Sequence, residues 1–282
     1  MKFIDNMGNS VYPVVDYTGL DLVSDRKYGG SVWLSEYVID GKTYLIKPCR
    51  KVTGAMNEVI CSRIGNFCGL DVVENLLAKD INKNSDSYTF IASKLIDGDI
   101  TDFDTYYEGK FEKGKSRHRE GVQRTTIASF EPSLLKEVCP AAFSGWSTVI
   151  VRDTLFLNTD SVPYRENTPV FDKGHKREGE FAPAFDFEYC FGDGTLPCSL
   201  PEYAFDELLK KNIEFIPQEL VDKVATLDDA KVVEFTSFNG CEDFFGKSKE
   251  ELETIQAGKI EKLCKQRDLI LNEKTKFNAR GV

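Results

Sequence analysis

Histidine is scarce in this 282-residue sequence, where only His118 and His175 occur, and no two of its eight cysteines form a Cys-x-x-Cys pair. Structural zinc needs four nitrogen or sulfur ligands at close spacing, so a zinc module is not expected. The thiols, from Cys49 to Cys264, read instead as small apolar side chains kept reduced, which places the chain in the cytoplasm. No run of about 18 apolar residues occurs, so no spanning helix and no membrane partner are expected. Met1-Lys2-Phe3-Ile4-Asp5-Asn6 meets an acid before any long apolar stretch and is not expected to be a secretion signal. Positive charge is also short: 36 Lys and Arg against 46 Asp and Glu leave a formal charge of −10. A surface of that sign repels phosphate backbones, so direct nucleic-acid binding is not expected. What remains, 41% hydrophobic and 29% charged residues, is an ordinary globular composition, not a disordered or fibrous one. The length admits one large domain or two lobes sharing a cleft.

Up to Leu95 the chain reads mostly as strands. Ser31 to Ile39 is rich in β-branched and aromatic residues, Asp40-Gly41 is a turn, and Thr43 to Lys47 runs back, which predicts a hairpin. From Met56 to Phe67 the period becomes helical, with Val59, Ile60, Ile64 and Phe67 on one stripe and Gly69 as the stop. Val72–Lys79 and Tyr88–Leu95 predict two further strands around the polar turn Asn82–Asp86. At Asp97-Gly98-Asp99 strand-formers give way to helix-formers, so this is a candidate hinge. Leu134 to Leu157 predicts helices divided at Pro140. Glu202–Lys211 and Gln218–Leu227 predict two more, and a long final helix starts at Ser248 with Glu251 completing a capping box. The layout is α+β: a small β-rich lobe with one helix over residues 1–97, and a larger, mainly helical lobe over 98–282. Lys110 to Arg124 holds six Lys or Arg against two Glu, a loop that is either solvated or a docking surface for an acidic partner.

Chemistry-bearing residues follow a definite order along this layout. Gly29-Gly30-Ser31 opens the hairpin, where a glycine turn can bring backbone N–H groups up to phosphate oxygens, although a plain turn has the same composition. Lys47 closes the returning apolar strand. Glu58, eleven residues on, can orient that ammonium by a charge-assisted hydrogen bond, or merely complement the helix dipole. Asp160 ends the run Arg152-Asp153-Thr154-Leu155-Phe156-Leu157-Asn158-Thr159-Asp160, Asn167 follows after a Pro-containing loop, and Asp186 lies in Phe185-Asp186-Phe187. A carboxylate, a carboxamide and a second carboxylate suit phosphoryl transfer: one Asp orients the acceptor hydroxyl, while Asn and the other Asp hold Mg²⁺ against the phosphates. The apolar flanks of Asp186 suggest a half-buried charge that needs a partner.

With these residues in hand, the sequence resembles the HipA-like serine/threonine kinases, which include toxins of toxin–antitoxin systems. The likeness runs from about Gly29 to the C-terminal helices. It rests on Leu157-Asn158-Thr159-Asp160 with Asn167, on Ala182-Pro183-Ala184-Phe185-Asp186, and on Tyr44-Leu45-Ile46-Lys47 with Asn57-Glu58 and Gly69-Leu70-Asp71-Val72. The resemblance implies a two-lobed protein-kinase-like fold, ATP and Mg²⁺ as cofactors, and a protein substrate phosphorylated on Ser or Thr. It also allows an antitoxin or regulatory partner. It implies that Lys47 contacts the ATP phosphates, Asp160 is the catalytic aspartate, and Asn167 and Asp186 bind metal. Ser93-Lys94-Leu95-Ile96 becomes the strand that pairs with adenine, and Ser24 and Ser31 become candidate sites of autophosphorylation. Seven positions separate Asp160 from Asn167, where the family usually has five, and its histidine is missing. If the extra residues bulge outward the enzyme is complete, and if they displace Asn167 the chain is a pseudokinase, a nucleotide-binding module without transfer. AMPylation by the same residues is a further alternative.

Overall fold

The computed structural model describes residues 2–3, 13–27, 33–80, 89–107, 132–159, 168–192 and 202–281. Its first part is a seven-stranded sheet built from β1 (Lys2–Phe3), β2 (Pro13–Asp16), β3 (Ser24–Lys27), β4 (Trp33–Ile39), β5 (Lys42–Cys49), β6 (Asn75–Lys79) and β7 (Thr89–Lys94). The strand order is β1-β2-β6-β7-β5-β4-β3. The expected hairpin is β4–β5, with Tyr37 opposite Tyr44, and both Asp40 and Gly41 take positive φ, 50° and 76°. That pair of left-handed residues matches the natural twist of the strands it joins. All pairings are antiparallel except β2 with β6, where Val14 lies beside Leu77.

The helix after the hairpin, α1 (Val52–Cys68), stops at Gly69 in the left-handed conformation, φ 69°. It begins four residues before the apolar stripe predicts. The reason is packing: Gly54 and Ala55 are buried, and a Cβ on Gly54 would lie 2.5 Å from Cγ of Glu188. The next expected strand loses its first part to a different partner. Val72 pairs in parallel with Ala184, Val73 N–H donates to Ala184 O at 3.0 Å, and Ala184 N–H donates to Asp71 O at 2.9 Å.

Beyond Gly98, whose φ is 107°, the chain makes one more strand before turning helical. This β8 (Ile100–Asp102) pairs with β9 (Pro169–Phe171), Thr101 opposite Val170. The helices are α2 (Phe103–Tyr106), α3 (Pro132–Val138), α4 (Pro140–Phe156), α5 (Glu202–Asn212), α6 (Gln218–Ala225), α7 (Asp229–Thr236), α8 (Glu242–Phe245) and α9 (Lys249–Ala279). Pro140 stands in the first turn of α4, where its missing N–H costs no helical bond. Ser248 caps α9 through the expected box: Glu251 N–H donates to Ser248 Oγ at 3.2 Å, and Ser248 N–H donates to Glu251 Oε2 at 2.8 Å. Among the described residues no helix is long and apolar enough to cross a membrane.

Two apolar cores result. The smaller one, with Val15, Tyr17, Tyr37, Tyr44, Ile46 and Ala92, lies wholly within the sheet. The larger one starts on α1 with Met56, Ile60 and Ile64 and runs through Trp146 and Ile150 of α4 to Leu263 and Ile270 of α9. The helix that follows the hairpin thus shares its core with the helices of the second part of the chain.

Candidate active site

Strand alternation aims Lys47. Tyr44 and Ile46 are buried in the sheet's own core, so Lys47 and Cys49 face the opposite way, toward α1. There the Lys47 ammonium donates to Glu58 Oε1 at 2.7 Å and to Asp186 Oδ1. The sequence places these three residues far apart, and the fold brings them to one point. Burial works against the Lys47 charge, but the carboxylates of Glu58 and Asp186 hold its pKa well above the ordinary lysine value. Burial raises the pKa of Glu58, with the Lys47 charge pulling the other way.

Glu58 is fully buried and held from several sides. Asn75, at the start of β6 and 1% exposed, donates from Nδ2 to Glu58 Oε2 at 3.1 Å. The same side chain accepts from Ser93 Oγ at 2.5 Å, and Asn75 N–H donates to Ser62 Oγ at 2.9 Å. The Phe187 backbone nearby favours the charged form of Glu58. Asn75 is a residue that sequence reading passes over. Its only mark is a carboxamide at the head of an apolar run, Asn75-Leu76-Leu77-Ala78.

Asp186 takes left-handed backbone, φ 66°, which costs a non-glycine residue roughly 1 kcal/mol. It is held there from both sides. Ala184 is tied to Asp71 and Val73, while Phe187 is wholly buried edge-on against Phe156 at 5.9 Å. Phe185 on the other flank is 39% exposed, so the two apolar neighbours do different jobs: one anchors, the other faces solvent. The Asp186 side chain is itself 37% exposed. Oδ1 meets Lys47, and Oδ2 takes no hydrogen bond among the described residues.

The chain approaching Asp160 is anchored beside this point. Leu157 ends α4 at φ 48°, and Asn158 N–H donates to Asp153 O at 3.0 Å. Thr159 Oγ1 donates to Tyr189 O at 3.2 Å, three residues beyond Asp186. Asp153, near the end of α4, is buried and accepts from Arg152 Nε at 2.8 Å. Asp160 and Asn167 lie outside the described residues, as do Gly29, Gly30, Ser31, the polar turn 82–86 and the basic loop 110–124. Ser24 lies in β3, its hydroxyl donated to Glu36 Oε2 at 2.6 Å. In the expected adenine strand, Ser93 turns its side chain to Asn75. Lys94 N–H donates to Glu74 O at 2.9 Å and Leu95 N–H to Thr43 O at 3.0 Å. Among the described residues no cluster of three or more His, Cys, Asp or Glu forms a closed metal cage.

No family model matches the sequence, and no curated protein matches it. Solved structures do. The proinflammatory kinase CtkA of Helicobacter pylori superposes with a TM-score of 0.60 at 17% identity, over 94% of this chain and 99% of that one. HipA of Shewanella oneidensis, solved with HipB and operator DNA, gives 0.39 at 14% identity over 89% and 68% of the two chains. An aminoglycoside phosphotransferase of Alicyclobacillus acidocaldarius gives 0.31 at 10% over 93% and 94%. The likeness to CtkA extends over nearly the whole of both chains, and it establishes that this chain has the two-lobed α+β fold of a protein-kinase-like structure.

Proposed function

We propose that the chain is a Mg²⁺/ATP-dependent kinase that transfers the γ-phosphoryl group to a Ser or Thr hydroxyl of a protein, itself included. The observation that carries the proposal is the Lys47 ammonium held between Glu58 and Asp186. A half-buried cation fixed by one wholly buried carboxylate, with a second, partly exposed carboxylate beside it, suits a site that positions phosphates. The division into lobes at residues 1–97 and 98–282 belongs to the same reading, with the cleft between them.

Each residue has a role in this reading. Lys47 holds the phosphates, and Glu58, with Asn75 behind it, keeps the ammonium from swinging away. Asp160 orients the acceptor hydroxyl. Asp186 and Asn167 offer hard oxygen ligands of the kind Mg²⁺ takes in nucleotide sites, where one or two protein ligands suffice because phosphates supply others. The half-exposed carboxylate of Asp186, with Oδ2 uncommitted among the described residues, fits that requirement. Bound Mg²⁺ would neutralise charge developing on the phosphoryl oxygens. The amides of Lys94 and Leu95 already serve the sheet, so adenine would pair through carbonyls of this strand or the backbone from Ile96 onward.

Intact mass of the protein before and after Mg-ATP, with Asp160→Ala alongside, tests the proposal. One added phosphate in the wild type alone supports it. A nucleotide-sized gain replaces it with AMPylation. Failure to modify either itself or any protein in an acceptor screen, despite bound ATP, turns the reading into that of a pseudokinase.

A further inference from the structure

Lys259 is a lysine in the middle of a charge-rich helix, yet it is 2% exposed. A buried ammonium is costly unless something requires it. Its Nζ donates to Oδ1 of Asn57, the residue immediately before Glu58, and lies 5.3 Å from the centre of the Phe191 ring. Asn57 is wholly buried, and its Nδ2 donates to the carbonyls of Glu188 and Cys190, each at 3.0 Å. One turn along α9, Lys262 donates to the carbonyl of Phe191. Three pieces of chain therefore meet at one carboxamide: α1 one residue from Glu58, the segment that follows Asp186, and α9.

From this arrangement we infer that Lys259 is a positioning residue for the Lys47–Glu58–Asp186 centre, acting through Asn57, and that α9 is the element that holds α1 and the segment after Asp186 in register. The inference rests on the phosphoryl-transfer reading and adds to it a residue 202 positions along the chain from the carboxamide it holds. The chemistry is specific to a long, flexible cation. The ammonium orients the Asn57 amide so that its oxygen faces α9 and its N–H groups face the two carbonyls. Without that donor the buried Asn57 oxygen is left unpaired, and the carboxamide that ties α1 to the carbonyls of 188 and 190 loses its anchor on α9. Those carbonyls lie two and four residues beyond Asp186, whose Oδ1 meets the same Lys47 ammonium as Glu58, the residue next to Asn57. A shift of the segment is thus felt by the carboxylate on either side of Lys47. A displacement of about 1 Å in such a centre lowers turnover by orders of magnitude.

Lys274 supplies the control. It also lies on α9, is 6% exposed, and donates to the carbonyls of Ile213 and Ile216, far from the cleft. The experiment compares Lys259→Met, Lys262→Met and Lys274→Met with the full-length wild type by amide hydrogen exchange and by steady-state transfer from Mg-ATP. Lys259→Met is expected to raise exchange about tenfold in the peptides covering 52–60 and 187–192. It should also lower kcat by about tenfold or more. Lys262→Met should give a smaller change in the same peptides, and it stands in if Lys259→Met does not fold. Lys274→Met should leave both peptides and kcat as in the wild type. Equal behaviour of the Lys259 and Lys274 variants in exchange and in kcat overturns the inference. A wild-type protein that binds no Mg-ATP instead overturns the kinase reading, and the exchange arm still decides whether the clamp exists.

Discussion

Replacing Asn75 by Ala tests whether the buried side of the Lys47–Glu58 pair is held as described. The side chain is 1% exposed and bonds Glu58 Oε2 at 3.1 Å, Glu58 O at 3.3 Å and Ser93 Oγ at 2.5 Å, while its backbone bond to Ser62 survives the change. A hydrogen bond to a buried charged group contributes roughly 1.5–3 kcal/mol. The half-buried Ser93 hydroxyl can turn to water, so its loss adds little. The variant should therefore be about 2–3 kcal/mol less stable, which for a chain of this size lowers Tm by roughly 5 °C or more. Thermal unfolding followed by circular dichroism reads this directly. A cycle with Glu58→Gln sharpens it: both changes weaken the same charge-assisted bond, so the double variant should be less destabilised than the sum of the singles. Turnover should fall as well, since Glu58 loses the group that fixes its second oxygen. A Tm within a degree of wild type, or strictly additive effects with Glu58→Gln, refutes the reasoning.

Three further outcomes follow from the same geometry. Lys47→Met leaves Glu58 a buried carboxylate without its cation, which costs about 3 kcal/mol, and removes the proposed phosphate contact, which should cost about 100-fold or more in transfer. Lys47→Met with Glu58→Gln should recover stability in urea unfolding without recovering transfer, and recovery of both would mean that Lys47 has no part in the chemistry. A Cβ on Gly65 would lie 2.6 and 2.8 Å from the two Cγ atoms of Val72, so Gly65→Ala overpacks the contact between α1 and the Asp71–Val73 stretch. The clash, about 1–3 kcal/mol, should exceed the helix-propensity gain of about 1 kcal/mol, and Val72→Ala in addition should restore part of the Tm; an unchanged or higher Tm for the single variant contradicts this. Six of the seven described cysteines are buried, and burial raises the thiol pKa, that of Cys241 to about 11. Ellman titration of the native protein at neutral pH should therefore find no more than two of the eight thiols, Cys264 and Cys198, and all eight after unfolding; early labelling of a third would show that the core opens.

Local rules were readable where the sequence carries its own punctuation. Asp40-Gly41, Gly69, Pro140 and the Ser248–Glu251 box each act through bonds spanning a few residues, and each stands where the sequence puts it. The meeting of Lys47, Glu58 and Asp186 was legible in part: the spacing offered Glu58 as a partner for the Lys47 ammonium and the apolar flanks of Asp186 called for a partner charge, while their functional roles came only from the family resemblance. Long-range choices were not. Nothing local says that Val72 will leave its strand to pair with Ala184, or that β2 will lie parallel to β6. The first turn of α1 is equally silent: Lys51 gives no side-chain cap, and the helix starts early because Gly54 fits against Glu188. Asn75 and Lys259 escaped for a related reason. In sequence one is a polar residue among apolar ones and the other a lysine among charged neighbours, and only tertiary packing turns them into the groups that hold Asn57 and Glu58.

The bond between Asn57 and Lys259 also has a consequence in time. A ribosome adds about 5–20 residues per second, so Lys259 is polymerised about 10–40 s after Asn57, 202 positions earlier. During that interval the nascent sheet, its hairpin and α1 can form from near neighbours, but the segment after Asp186 has no α9 to rest on. Contacts of such large separation close last in folding as well as in synthesis. A growing or prematurely ended chain would carry Lys47 and Glu58 without the strut that aligns them, and the proposed transfer would have to wait until α9 arrived.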